Sequence, residues 1–205
     1  MIIKIVAAGE NQFSRLYRPD IDEILVGVDG GINNIVEMGL TADLGIGDFD
    51  SCNIEEVVMA CSKVKVFPKE KEKGDLELAI LEVKDIPHEK IIIYNGTGGR
   101  LDHFYAILNV LIKYSDAKIE VVDDLNLIRI IDHPIRLEKS EYKYFSFFAL
   151  ENDTIITLKG FKYPLSNYHL TIRDNLCLSN ELIKDGFLEV NNKKLLVIET
   201  KQNRE

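Results

Sequence analysis

The chain has 205 residues, enough for one large domain or two small ones with a real hydrophobic core. Its apolar fraction of 46% and charged fraction of 29% are those of a globular protein, and no apolar run approaches membrane-spanning length. With 34 acidic against 25 basic residues the net charge is -9, which argues against nonspecific binding to nucleic acid or to an anionic membrane surface.

Cys52, Cys61 and Cys177 are odd in number and show no C-x-x-C spacing. They form neither a disulfide framework nor a structural zinc site, and a reducing cytoplasm is the expected compartment. The stretch Met1 to Gly9 has no basic segment and is too short for a signal peptide.

In chain order, Ile2 to Ala8 reads as a buried strand ending at Gly9, and Ile24 to Val28 as a second strand closed by Asp29-Gly30-Gly31. Ile32, Ile35, Val36 and Met38 give a short helical face stopped by Gly39. Leu44-Gly45-Ile46 is a third strand. Ser51 or Asn53 then caps a helix whose apolar positions are Val57, Val58 and Cys61. A fourth strand, Val64 to Phe67, precedes Pro68 and the charged run Lys69 to Lys73. Asp75 opens a helix with Leu76, Ala79, Ile80 and Val83 at helical spacing. Lys90 to Tyr94 is a fifth strand. Beyond the loop Gly96-Thr97-Gly98-Gly99 lies a helix expected to bury Phe104, Ile107, Leu108 and Leu111. Ile119 to Val122 is a sixth strand.

Such alternation argues for a mostly parallel sheet with helices on its faces. Near Asp132-His133-Pro134 the helical period disappears. Short β-rich runs follow at Tyr144 to Leu150, Thr154 to Leu158, Asn167 to Ile172, Phe187 to Val190 and Leu195 to Glu199, separated by turn residues. They predict an antiparallel sandwich or barrel, with the domain boundary at about Asp132.

Three segments carry chemistry. Gly47-Asp48-Phe49-Asp50-Ser51 presents two carboxylates from a turn after a strand. Paired carboxylates repel, so the cluster is costly unless a divalent cation neutralises it, and Mg2+ favours one or two carboxylates together with substrate phosphates. Asp75 and Asp102 can complete the acidic group. Gly98-Gly99-Arg100 offers backbone N–H groups and a planar guanidinium to phosphate oxygens. Plainer readings exist: Asp-x-Asp as a turn, Asp75 as a helix cap, Asp29-Gly30-Gly31 as a strand-to-helix turn, and the lysine run as a solvated loop. Three such segments after successive strands favour chemistry, because ligands in open α/β sheets bind at the carboxyl ends of the strands. The pattern is that of phosphoryl or pyrophosphoryl transfer.

Together these segments, with Val28-Asp29-Gly30-Gly31 and Leu178-Ser179-Asn180-Glu181, resemble the thiamine pyrophosphokinase (thiamine diphosphokinase) family over nearly the whole chain. The resemblance implies a Rossmann-like α/β nucleotide- and metal-binding domain over residues 1–132 and a thiamine-binding β-sandwich over 133–205. It implies a homodimer with active sites between subunits, and transfer of a pyrophosphoryl group from ATP to thiamine with Mg2+, releasing AMP. By the family pattern, Asp48, Asp50 and Asp75 are metal ligands. Asp29, Gly30, Lys71, Gly98, Gly99 and Arg100 are ATP or phosphate contacts. Arg100 joins the carboxylates in catalysis, Asp102 orients the substrate, and Ser179 and Asn180 lie near thiamine. Two departures stand out. Glu72-Lys73-Gly74-Asp75 replaces the usual Asp-x-Thr-Asp, and with no Trp in the chain an aromatic wall against thiamine falls to Tyr or Phe. Rival readings are a diphosphokinase for a related alcohol such as a hydroxymethylpterin, a silent nucleotide or thiamine binder, and a metal-dependent phosphohydrolase.

Overall fold

The computed structural model describes residues 1–50 and 53–202, so the proposed cap Ser51 and the thiol of Cys52 lie outside the described residues. Two compact units divide between Asp124 and Leu125.

In the first unit come β1 (Ile2–Val6), α1 (Phe13–Leu16), β2 (Glu23–Val28), α2 (Gly31–Glu37) and β3 (Ala42–Gly47). Then follow α3 (Ile54–Ala60), β4 (Cys61–Val66), α4 (Asp75–Val83), β5 (Lys90–Tyr94), α5 (Leu101–Lys113) and β6 (Ile119–Val122). The strands pair in parallel in the order β6-β5-β1-β2-β3-β4. From β1 the chain builds outward through β2, β3 and β4, then returns to place β5 on the other side. The strand order therefore reverses between β1 and β5, where the carboxyl ends of the strands open a crevice.

Local chemistry accounts for the helices. The Asn53 side chain caps α3 by accepting from the Glu55 N–H at 3.1 Å. Gly39 ends the α2 segment in the left-handed region. α4 buries Ala79, Ile80 and Val83, as its spacing predicts. α5 buries Ile107, Val110 and Leu111, whereas Phe104 and Leu108 are only half-buried because the buried stripe begins one turn later than expected. Val58 is exposed, and Cys61 belongs to β4 rather than to the preceding helix.

One buried charge stands in the middle of β1. Lys4 is almost fully enclosed, and its ammonium is paired with Glu23 and with Asp20 at 2.6 Å. Glu23 also accepts the Tyr17 hydroxyl. A buried ammonium is tolerated only with such partners.

The second unit contains β7 (Asn126–Ile131), β8 (Ile135–Leu137), β9 (Tyr142–Ala149), β10 (Thr154–Phe161), β11 (Leu165–Leu170), β12 (Asn180–Val190) and β13 (Leu195–Lys201). All its pairings are antiparallel, in the order β7-β13-β9-β12-β10-β11, with β8 also on β12. β12 meets β9 through Asn180 and Glu181, and β8 and β10 mainly through its later residues. Its core is built around Phe145, Phe147 and Phe161, with edge-to-face contacts of 5.9 and 5.6 Å. A register shift in β10 falls at Gly160, which has a positive φ and where an added Cβ would come within 2.5 Å of the Asp185 carbonyl oxygen.

The division between the compact units falls a little before Asp132. Asn126–Ile131 pairs residue for residue with β13, so it belongs to the antiparallel unit although it follows β6 after a short connection.

Candidate active site

A cleft of about 870 Å³ opens in the first unit at the carboxyl ends of β1, β2 and β5. Its walls include Asp29, the α4 amino terminus at Gly74 and Asp75, the loop residues Gly96, Thr97, Gly99 and Arg100, and the side of α5. Three non-glycine residues at strand ends, Asp29, Phe49 and Asn95, adopt positive φ of 46°, 52° and 60°. Such conformations are rare outside glycine, and here they turn the chain sharply after β2, β3 and β5.

The acidic cluster assembles around one lysine. Lys71 Nζ lies 2.6 Å from Asp75 Oδ1 and 3.5 Å from Asp48 Oδ2, with all three side chains largely shielded. Asp29 faces the same group. Its carboxylate packs over Gly47, where an added Cβ would come within 1.9 Å of Oδ1. That oxygen is buried without a hydrogen-bond partner among the described residues. Burial, then the fields of Asp75 and Asp48, push the Asp29 carboxyl up to about 6, against the opposing pull of Lys71 and the Asp48 backbone N–H. Burial works against the Lys71 charge, yet the Asp75 hydrogen bond and the fields of Asp48 and Asp29 raise its pKa above the usual lysine value.

Asp50 lies apart from this group. It is exposed and paired with Lys69 at 2.6 Å, while its backbone N–H donates to Asp48 Oδ1 at 3.2 Å. Gly30 is the cap residue of α2. Gly98 takes a φ of +84°, and a Cβ there would press on Glu10 Oε2 at 2.6 Å.

Arg100 precedes α5 and forms a two-pronged pair with Asp102, Nε to Oδ1 at 3.1 Å and Nη2 to Oδ2 at 2.6 Å. The pair is well exposed, at 72% and 64%. The Arg100 bond, then the His103 backbone N–H, hold the Asp102 carboxyl down at about 2, which makes it a weak base at neutral pH.

In the second unit, Ser179 has a positive φ and its N–H donates to Ser146 Oγ at 3.0 Å. Asn180 is buried, and its amide is spent on backbone. Oδ1 accepts from Tyr163 and Glu181 N–H at 3.1 and 2.9 Å, and Nδ2 donates to the Tyr163 carbonyl at 2.8 Å. That side chain fixes the Tyr163 segment.

Several cleft residues escaped the sequence reading. Asn95 Oδ1 accepts both the Gln12 and Phe13 N–H at 2.9 Å, capping α1, while Nδ2 donates to the Ala7 carbonyl at 3.3 Å. The signal available was an Asn at a strand end ahead of a glycine-rich loop. Glu77, held by Lys113 at 2.7 Å and by the Tyr114 hydroxyl at 2.8 Å, had no signal beyond its place on α4.

The donor set fits a hard divalent cation. All candidate ligands are carboxylate oxygens, and Asp29 Oδ1 lacks a partner. Among the described residues, no three carboxylates, imidazoles or thiols already converge into an ion cage.

A strand-end cleft, a shielded carboxylate group and a glycine-rich arginine loop define the class as an α/β enzyme of phosphoryl or pyrophosphoryl transfer. The comparisons narrow it. The family model of the thiamin pyrophosphokinase catalytic domain matches residues 20–122, and that of its vitamin B1 binding domain matches residues 132–197. The chain is 36% identical to thiamine pyrophosphokinase of Bacillus subtilis over 191 residues, 88% of this chain and 89% of that protein. The crystal structure of the Bacillus subtilis thiamine pyrophosphokinase matches at a TM-score of 0.88 and 32% identity, covering 99% of this chain and 100% of that one. That of thiamin pyrophosphokinase from Geobacillus thermodenitrificans matches at 0.86 and 33%, covering 99% of each. The chain belongs to the thiamin pyrophosphokinase family.

Proposed function

We propose that this protein transfers the β,γ-pyrophosphoryl group of ATP to the hydroxyl of thiamine, giving thiamine diphosphate and AMP. The observation that carries the reading is the shielded Asp29, Asp48 and Asp75 group around Lys71 beside a strand-end cleft. The family match to both a catalytic and a vitamin B1 binding domain supports the choice of substrate.

Mg2+ held by Asp48 and Asp75 beside Asp29, and by Asp50 once it leaves Lys69, would neutralise the phosphate charge that grows during transfer. The chain's own groups position and stabilise. Arg100 presents two N–H donors to phosphate oxygens once it exchanges Asp102 for substrate. Lys71, Gly99 and the N–H groups before α5 add donors, with Gly98 and Gly30 shaping the turns. The proton of the substrate hydroxyl is taken by a carboxylate on the cleft wall, and Asp29, which lines the cleft with its carboxyl raised to about 6, is better matched to that role than a carboxylate holding the metal.

The finer architecture we infer is a Rossmann-like first domain and a β-sandwich, with Ser179 contributing to a thiamine pocket and Asn180 holding its backbone. We infer a homodimer with sites between subunits. The exposed apolar residues Ile172, Leu176, Leu178 and Ile183 in one unit, and Leu101 and Tyr105 in the other, support it. Cytoplasmic residence is consistent with the free, buried Cys61 and Cys177. No described helix is long and apolar enough to cross a membrane.

Incubation with ATP, Mg2+ and thiamine should yield AMP and thiamine diphosphate, identified by mass. Conversion of a hydroxymethylpterin with thiamine untouched, or release of free phosphate, would refute the assignment.

A further inference from the structure

Lys71 occupies a place that a divalent cation would also seek. Its ammonium touches Asp75, lies near Asp48, and feels the field of Asp29. Three carboxylates against one lysine leave the group short of positive charge. The lysine belongs to the charged run between β4 and α4, and its side chain is a flexible four-carbon stem able to swing away. Lys69 makes a similar contact with Asp50 two residues earlier, but that pair is exposed and weakly held.

We propose that Lys71 is a resident counter-ion which holds the carboxylates together before substrate arrives and then exchanges places with the metal. On exchange, its ammonium leaves Asp75 and Asp48 to the incoming cation and moves onto a phosphate oxygen of the nucleotide. The inference rests on the reading of this group as the metal site. Charge balance favours the swap, since the +2 ion offsets the carboxylates better than +1 and the displaced +1 finds the polyphosphate. The site therefore stays preformed with part of its like-charge repulsion offset. Its cost is weaker affinity for bare metal, because the ion must evict the lysine.

The test uses the full chain and Mn2+ as the probe, with free Mn2+ followed by electron paramagnetic resonance in the absence of nucleotide. Lys71→Met, close in shape but uncharged, should bind Mn2+ about tenfold more tightly than the wild type, a gain of about 1.4 kcal/mol. In chelator the same variant should melt about 4 °C lower or more, as the unpaired carboxylates repel. Lys69→Met should shift neither quantity measurably. Equal or weaker Mn2+ binding by Lys71→Met would overturn the exchange. Asp48→Asn separates that failure from the failure of the metal reading. If Asp48→Asn leaves Mn2+ binding intact, the carboxylate group is not the metal site and the exchange falls with it. If Asp48→Asn weakens binding while Lys71→Met does not strengthen it, only the exchange is wrong.

Discussion

Two ion-paired groups face each other in function but not in environment. The Lys71 pairs with Asp75 and Asp48 are shielded, whereas the Arg100 and Asp102 pair stands in solvent. Both are short, yet shielding decides what each can do. In the first, like charges interact at low effective dielectric, so pKa values move and removal of one partner is felt by the rest. In the second, water screens the pair, which can open at little cost and release a guanidinium to a phosphate. One group is a fixed charge reservoir. The other is an available donor.

The largest break in this comparison is Asp48→Asn, which should lower kcat by at least about a hundredfold through loss of a carboxylate proposed to hold the metal. Its melting temperature should hold or rise, since a repulsive partner of Asp29 is gone. Turnover close to wild type at saturating Mg2+ would remove Asp48 from the chemistry.

Arg100→Lys comes next. Lysine keeps the charge but loses the planar fork, so kcat/KM for ATP should fall roughly ten- to a hundredfold while stability stays unchanged. Unchanged kinetics would make Arg100 a solvated loop residue.

Asp29→Asn sharpens the shielded side. The folded carboxyl sits near 6, above its ordinary value of 3.8, so the native state holds the proton more tightly than the unfolded chain. Stability therefore falls as pH rises from about 4 to about 6, and the cost persists above that window. After allowance for partial solvent screening the variant should gain about 1 kcal/mol at pH 7 in chelator, and its melting curve should lose the decline between pH 4 and 6. A variant less stable at pH 7 would mean that Asp29 is stabilising as an anion.

Gly74→Ser is the smallest expected effect. Gly74 is the N-cap of α4 with no side-chain cap, and its Cβ direction is open. A serine hydroxyl should add a few tenths of a kcal/mol by denaturant titration. Destabilisation would show that the open space is needed by the loop.

Much of the parallel unit was legible because its signals are local. β5 follows the expected bounds, and Asp75 opens α4 where the apolar spacing places it. Asp48 and Asp75 were read as partners from their positions after successive strands. What was hidden depended on distant residues. β7 looks like a continuation of the first domain until β13 pairs with it. The four-residue helix α1 owes its cap to Asn95, far along the chain. Lys4 interrupts an apolar strand, and its contacts with Glu23, Asp20 and the Arg18 carbonyl explain it. Asp50 shares a motif with Asp48, but Lys69 draws it outward. Nor does the sequence show that Lys71, one of several lysines in a charged run, is the one enclosed by carboxylates.

The central claim is that the shielded carboxylate group directs transfer of two phosphates in one step. ATP labelled separately at the β- and γ-phosphorus tests it most directly. With thiamine and Mg2+, both labels should appear together in the thiamine product, with unlabelled AMP released, and Asp48→Asn should suppress both equally. Transfer of the γ-label alone, with the β-label retained in ADP, would contradict the account.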